Sequence, residues 1–229
     1  MQHTTKTKVA KAFTADAATL GQPQERYLVP LSVVLLIALA VRVLAAFFSK
    51  GFAFSDDHFD VITIAQGWVD GLPLWLNEPM PPRHSMLYVL VHYVIFYVLE
   101  AMGVFSPEVK MTVVRLVHAF YSLLVVYFGY KLTERLSNKA NARLVGLMLA
   151  LVWFMPFMSV RNLVEMVNIP PYLAAFYLMV KAEQSGKKQV MPYFWAGVLF
   201  ALAFMFRYHT VLFGAGAGLV LLYQRQWRE

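Results

Sequence analysis

The sequence predicts an all-α integral membrane protein, on three observations. Hydrophobic residues make up 59% and charged residues only 14% of the 229 residues, an apolar excess over soluble domains of this length. Apolar segments of membrane-crossing length recur along the chain, and Lys and Arg concentrate in short runs between them. The formal charge of +7 is therefore typical of cytoplasmic loops, and no nucleic-acid partner is expected. The absence of Cys excludes disulfides and thiolate metal sites.

The N-terminal segment, residues 1–26, is polar and basic. It contains no short apolar core followed by a small-residue cleavage site, so the sequence predicts a retained tail. The positive charge of Lys6, Lys8, Lys11 and Arg26 predicts that this tail lies in the cytoplasm. Residues 27–229 are then expected to form a single polytopic membrane module.

Seven apolar segments follow, each close to the length of about 20 residues that crosses a bilayer. They are Tyr27 to Phe48, Met86 to Met102, Met111 to Tyr130, Leu144 to Val160, Pro171 to Val180 with its flanks, Tyr193 to Phe206 and Val211 to Tyr223. Cytoplasmic loops carry the excess of Lys and Arg, so the basic groups should share one side with the N-terminus. These groups are Lys131 to Arg143, Lys181 to Lys188, and Arg225 with Arg228.

All three basic groups reach the cytoplasm if one segment before Lys131 does not cross. The weakest span is Met86 to Met102, which is short, contains His92 and ends near Glu100. Its tyrosines suit the membrane interface, so we expect an in-plane helix here. The prediction is therefore about six transmembrane helices, plus in-plane interfacial helices in a first outer loop of about residues 49–110.

The first outer loop contains an acidic run, Ser55-Asp56-Asp57-His58-Phe59-Asp60, soon after the first apolar segment. Ser55 can serve as an N-cap, and Asp56 and Asp57 would then occupy a first helical turn, where the helix dipole favours negative charge. An amphipathic helix should follow and end near Gly71-Leu72-Pro73. Capping alone is one interpretation of these acids. A general base beside the membrane is the other, because three carboxylates and a histidine exceed what a cap requires.

Further motifs follow the acidic run in a fixed order. They are Gly71-Leu72-Pro73-Leu74-Trp75, Pro82-Arg83-His84-Ser85-Met86-Leu87-Tyr88, Arg115-Leu116-Val117 and Lys131-Leu132-Thr133-Glu134-Arg135. The chain resembles the N-terminal module of the GT-C superfamily of membrane glycosyltransferases. The resemblance lies in the order and spacing of these motifs, in the side of the membrane on which they are expected, and in the position of Arg42 near the outer end of the first span. The resemblance covers about residues 27 to 210 and lies near the mannosyltransferase and bacterial lipid-modifying branches.

The resemblance implies transfer of a sugar from a polyprenyl-phosphate-linked donor to a lipid or envelope glycan acceptor, with inversion. It implies a bacterial inner membrane location, an active site facing outside, and a carboxylate of the first outer loop as base. Asp56 or Asp57 would fill that role, and Asp56 is slightly favoured as the first acid of the run. The implied substrate-binding residues lie on the same outer face: His58, Asp60, Arg83, His84, Arg161, Glu165, Arg207 and His209.

No cofactor is predicted. Asp56, Asp57, His58 and Asp60 could hold a divalent metal, but acidic first turns are far commoner than metal cages. Several other residues have two interpretations. Arg42 either reaches the interface or binds a lipid phosphate. Arg161 and Glu165 have i,i+4 helical spacing, so they form either a simple ion pair or a ligand contact.

His92 and His118 lie on apolar helices and are expected to be packed or interfacial rather than functional. The chain as a whole also has two interpretations. It is either the enzyme described above or a noncatalytic accessory or scaffold subunit of a larger membrane complex. The accessory interpretation rests on the small number of predicted spans, because GT-C enzymes usually continue with a longer C-terminal region.

Overall fold

The computed structural model describes residues 29–77, 85–185 and 190–223 of the chain. Every regular element in these ranges is helical, as the sequence predicts. The elements are α1 (Leu31–Phe48), α2 (Ser55–Val69), α3 (Met86–Ala101), α4 (Pro107–Tyr121), α5 (Leu123–Leu136), α6 (Lys139–Leu151), α7 (Phe154–Ser159), α8 (Val164–Gln184), α9 (Val190–Phe206), a 3-10 turn (Tyr208–Thr210) and α10 (Val211–Tyr223).

Two helical stretches among the described residues are long and apolar enough to cross a membrane. They are α1, with 18 residues, and the 30-residue stretch Pro107–Leu136 formed by α4 and α5. Shorter apolar helices occur at Met86–Ala101, Val190–Phe206 and Tyr208–Tyr223. These lengths are consistent with a membrane protein, while the count of six spans stays a prediction.

Two of the predicted apolar segments are interrupted. Ser122 separates α4 from α5, and its hydroxyl donates to the Ala119 carbonyl at 3.0 Å, a contact that competes with the helix ladder. Leu144 to Val160 is divided into α6 and α7. The sequence pattern missed both breaks because the residues on either side are uniformly apolar.

Arg42 is fully buried in the middle of the bundle, although it lies on the apolar helix α1. Its guanidinium donates to the Ser122 hydroxyl at 3.0 Å, the Leu149 carbonyl at 3.0 Å, the Ala150 carbonyl at 3.5 Å and the Ala38 carbonyl at 3.3 Å. Leu149 and Ala150 belong to the last turn of α6, whose carbonyls have no partner within the helix. Both predicted roles of Arg42, reaching the interface and binding a lipid phosphate, are therefore wrong, because the side chain joins three helices inside the bundle.

Helix α8 contains Pro170 and Pro171, two residues that usually interrupt a helix. Pro171 has no N–H to donate to the Val167 carbonyl, and the Tyr121 hydroxyl donates to that carbonyl instead, at 3.0 Å. The helix therefore continues through the proline pair. Glu165 and Asn168 therefore lie on the same helix as the segment after the prolines.

Helices α2 and α3 pack on each other and on the beginnings of α4 and α8. Their shared core contains Val61, Ala65, Val89, Val114 and Val164. The N-cap of α3 is Ser85, whose hydroxyl accepts from the Tyr88 amide and donates to the Met205 carbonyl near the end of α9. This packing brings the first turns of α2 and α8 and the end of α9 close together.

Candidate functional site

The acidic run forms the first turn of α2, as predicted, but its two neighbouring acids differ in exposure. Helix α2 begins at Ser55 and its N-cap position is Phe54, so the predicted capping role of Ser55 is wrong. Asp57 is 3% exposed, whereas Asp56 and Asp60 are exposed. The helix ends at Val69 and is followed by Gly71, with a φ of 79°, where the sequence predicted its end.

Asp57 connects α2 to the start of α8. Its carboxylate accepts a hydrogen bond from the Val164 amide at 3.3 Å. Val164 is the first residue of α8, and the amides of a first helical turn have no partner within their own helix. The negative charge of Asp57 is therefore stabilised by the N-terminal end of that helix.

Glu165 lies on the next position of α8 and pairs with Arg207. The distance from Arg207 Nη2 to Glu165 Oε1 is 2.5 Å. Burial raises the pKa of Glu165 above its ordinary value, and the charge of Asp57 raises it further, while Arg207 acts in the opposite direction. The helical pairing of Arg161 with Glu165 is wrong, because α8 begins at Val164 and Arg161 lies outside it.

Arg161 is 5% exposed and faces the end of α1 instead. It donates to the Ser49 hydroxyl at 2.9 Å and to the Lys50 carbonyl at 3.4 Å, and its guanidinium lies 3.9 Å from the centroid of the Phe157 ring. Burial, and then the like charge of Arg115, lower the pKa of Arg161. The sequence analysis did not select Arg115 as a site residue. Its Nε donates to the Ala46 carbonyl at 2.7 Å, which holds it against the last turns of α1.

His58 is half-buried beside these arginines. Its ring centroid lies 5.9 Å from that of Phe52 and 5.0 Å from that of Phe59. Burial lowers the pKa of His58, and the positive charges of Arg161 and Arg115 lower it further. The imidazole is consequently neutral over a wider pH range than a free histidine.

A buried polar cluster lies behind the acidic turn. The Tyr88 hydroxyl donates to His118 Nε2 at 2.9 Å, an assignment that follows because His118 Nδ1 lies 2.8 Å from the Val114 carbonyl and must donate to it. His92 Nδ1 lies 2.9 Å from the Tyr88 carbonyl. His92 and His118 are thus packed, as expected. In the described part of the chain, His92 Nε2 and both amide atoms of Asn162 make no hydrogen bond of ordinary geometry.

The remaining predicted site residues divide into two groups. Arg83 and His84 lie outside the described residues. His209 is exposed in the 3-10 turn after α9, and Asp60 is exposed one turn along α2. The structure therefore places the other predicted site residues in two clusters. One contains Asp57, Glu165 and Arg207, and the second contains His58 and Arg161. Within the described ranges, no group of three or more His, Asp or Glu side chains could hold a metal ion.

Comparison with known proteins supports a family assignment. No curated protein and no solved structure matches the chain. A family model described as dolichyl-phosphate-mannose-protein mannosyltransferase matches residues 86–229, which is more than half of the chain. The matched range includes Arg161, Glu165 and Arg207 and begins after the acidic run. The chain therefore belongs to the dolichyl-phosphate-mannose-protein mannosyltransferase family, within the GT-C superfamily of membrane glycosyltransferases.

Proposed function

We propose that this chain is a glycosyltransferase that moves a sugar from a polyprenyl-phosphate-linked donor to a lipid or envelope acceptor at the outer membrane face. The family is named for a donor of this kind, dolichyl-phosphate-mannose. The observation that supports the proposal is the contact of Asp57, in the acidic turn of α2, with Val164, in the first turn of α8. Val164 lies within the range that matches the family, and the contact brings the acidic turn, which precedes that range, against it. The proposed membrane is the bacterial inner membrane, with the N-terminus in the cytoplasm.

We assign the general base to Asp56 and a positioning role to Asp57. A base must approach the acceptor hydroxyl to within about 3 Å, so it needs an accessible carboxylate. Asp56 is exposed, whereas Asp57 is buried and is engaged with the Val164 amide. Asp57 therefore fixes α2 against α8 and sets the position of its neighbour.

The proposed reaction is a single displacement. Asp56 takes the proton of the acceptor hydroxyl while the hydroxyl oxygen forms a bond to the anomeric carbon. The bond between that carbon and the donor's phosphate oxygen breaks, and its electron pair leaves with the polyprenyl phosphate. The configuration at the anomeric carbon inverts. The leaving phosphate gains one negative charge, so cationic side chains near it lower the barrier.

Substitution of each acid tests these roles. Asp56→Asn keeps the size of the side chain but cannot accept the proton, so we expect turnover to fall about 10²- to 10⁴-fold. Asp57→Asn keeps an oxygen that can accept from the Val164 amide and should be far more tolerant. Asp70→Asn, at the opposite end of α2, is the matched control and should transfer sugar at the wild-type rate.

The assay follows sugar transfer from a polyprenyl-phosphate donor in membranes, using the longest native form of the gene product. Thermal unfolding of each variant shows whether the fold is retained. If Asp56→Asn and Asp57→Asn both transfer sugar at the wild-type rate, the acids serve only to start a helix. In that case the enzyme assignment is wrong, and an accessory subunit of a membrane complex replaces it.

A further inference from the structure

The segment that joins α7 to α8 is buried along its whole length. Val160, Arg161, Asn162 and Leu163 are each 5% exposed or less. A buried irregular segment has no ladder of its own, so its backbone groups take their hydrogen-bond partners from other parts of the chain. The contacts made by residues 160–163 therefore decide where α8 begins and in which direction its first amides point.

The Tyr88 hydroxyl makes one of these contacts from α3. It donates to His118 Nε2 at 2.9 Å, so the lone pairs of its oxygen stay available to accept. The Leu163 amide acts on that oxygen as a hydrogen-bond donor. Leu163 is the N-cap position of α8, and the next amide, of Val164, donates to Asp57. Two consecutive amides at the start of α8 are therefore held by a tyrosine of α3 and an acid of α2.

The Tyr88 side chain is itself fixed. It is 1% exposed, and its backbone amide donates to the hydroxyl of Ser85, the N-cap of α3. Its ring packs edge-on against the ring of His92, with the centroids 4.6 Å apart and an interplanar angle of 85°. The His118 ring that accepts from its hydroxyl is anchored by the bond from Nδ1 to the Val114 carbonyl at 2.8 Å. The hydroxyl therefore has a defined direction, which a contact that positions a helix requires.

A second tyrosine holds α8 at a different place. The Tyr121 hydroxyl donates to the Val167 carbonyl at 3.0 Å, beside the two prolines. Both tyrosines are thus hydroxyl partners of α8. The contact of Tyr88 is with the residue next to Val164, whereas the contact of Tyr121 lies three residues farther along the helix. The two hydroxyls therefore separate an effect on the start of α8 from a general effect on its stability.

We propose that Tyr88 is a positioning residue for sugar transfer: its hydroxyl holds the Leu163 amide and thereby sets the position of Asp57. This inference rests on the proposed function and adds to it a residue of α3. Tyr88 is buried, so it touches neither donor nor acceptor. Without the hydroxyl, the start of α8 is no longer fixed against Asp57. The neighbouring Asp56 then loses its place beside the acceptor hydroxyl.

Steady-state kinetics of sugar transfer in membranes test the proposal. Tyr88→Phe removes one oxygen and keeps the ring, so we expect kcat to fall about five- to tenfold because the base is misplaced. The KM for the donor should stay unchanged, since no contact with the donor is altered. Tyr121→Phe is the matched control, because it also removes a hydroxyl bonded to α8. It should lower thermal stability to a similar degree and keep kcat within about twofold of the wild type.

Equal losses of kcat in the two variants would mean that Tyr88 only stabilises the fold, and would overturn the positioning role. A wild-type kcat in folded Tyr88→Phe would overturn it as well. His118→Leu keeps the proposal testable if Tyr88→Phe does not fold. It leaves the Tyr88 oxygen in place but removes the acceptor of its proton, so kcat should fall in the same direction and by less. A wild-type kcat in folded His118→Leu would then refute the role.

Hydrogen–deuterium exchange followed by mass spectrometry gives a readout that does not need turnover. In the purified full chain in detergent, peptides that contain Leu163 and Val164 should exchange faster in Tyr88→Phe than in the wild type or in Tyr121→Phe. Unchanged exchange in Tyr88→Phe would show that the hydroxyl does not hold this amide, and the inference would fail.

These outcomes are separable from the proposed function. Asp56→Asn should lose transfer while its exchange at Leu163 and Val164 stays like that of the wild type. A wild-type chain that transfers no sugar would refute the proposed function, and with it any role of Tyr88 in transfer, even if exchange confirms the contact. Active wild-type protein with normal kcat in Tyr88→Phe would refute the positioning role and leave the enzyme assignment standing.

Discussion

The Arg207 guanidinium and the Glu165 carboxylate lie 2.5 Å apart and join the end of α9 to the first turn of α8. Arg207 follows the last residue of α9 and its carbonyl accepts from the Thr210 hydroxyl at 2.7 Å, so the turn that carries the guanidinium is held locally. Glu165 is the neighbour of Val164, which binds Asp57. The end of α9 is thus joined to the turn of α8 that also binds the acidic turn of α2.

A double-mutant cycle on Glu165→Gln and Arg207→Gln should give a coupling free energy of about 0.5–1 kcal/mol, because both side chains are partly exposed. Arg207→Gln alone should destabilise more than Glu165→Gln alone, since it leaves Glu165 beside the like charge of Asp57. The measurement is the free energy of unfolding in mixed detergent. Additive effects of the two substitutions would mean that the pair contributes no stability.

Replacing Arg42 tests the contacts inside the bundle. Arg42→Lys keeps a cation but cannot reach the Ser122 hydroxyl and the Leu149 carbonyl together, so we expect a loss of about 1–3 kcal/mol in the free energy of unfolding. The matched control is Arg135→Lys at the end of α5, where a change of about 0.5 kcal/mol or less is expected. Equal effects at the two positions would contradict the internal role of Arg42.

His58 should make stability depend on pH. Its folded pKa is lowered from 6.5, so below that pH the unfolded chain binds a proton that the folded chain does not. Stability should therefore fall as the pH drops below 6.5, until the folded imidazole is protonated as well. His58→Gln should flatten this part of the pH profile, which thermal unfolding between about pH 7.5 and about pH 5 would show. A steeper acid loss in the variant would contradict the assignment.

Single cysteines on this naturally Cys-free chain test the topology. Substitutions at Phe52 and Asn77 should react with an impermeant thiol reagent added outside, and a substitution at Asn138 should not. Phe52 is preferable to Gly51, whose positive φ and closeness to Arg161 would strain a cysteine. Labelling at Asn138 from outside would show that α3 crosses the bilayer, which is incompatible with six spans.

Sequence patterns predicted the helix bounds well where the interactions that set them join residues close together in the chain. The acids of the first turn of α2 follow from the helix dipole, the end of that helix follows from Gly71, and the bounds of α10 coincide with the predicted segment Val211 to Tyr223. The contacts of Asp57 with Val164, and of Glu165 with Arg207, join residues far apart in the chain. Periodicity carries no information on such pairs, so the sequence analysis named most of these residues but could not pair them.

The continuity of α8 through its two prolines has a physical reason that lies outside the local sequence. Pro170 and Pro171 are poor interior helix residues in isolation, because each removes a backbone donor. In the folded chain the Tyr121 hydroxyl, from another helix, donates to the Val167 carbonyl that Pro171 leaves free. The continuity of α8 therefore depends on a tertiary contact, which a pattern of neighbouring residues cannot predict.

The position of Arg42 has a consequence for the order in which the protein is made. Helix α1 is synthesised before the other described helices, yet three of the four groups that accept from the Arg42 guanidinium belong to Ser122, Leu149 and Ala150, about a hundred residues later. Until those residues leave the ribosome, the guanidinium on this apolar helix lacks most of the partners that stabilise it. Helix α1 therefore reaches its final packing only when α6 is in place, so an early part of the chain is a late element of assembly.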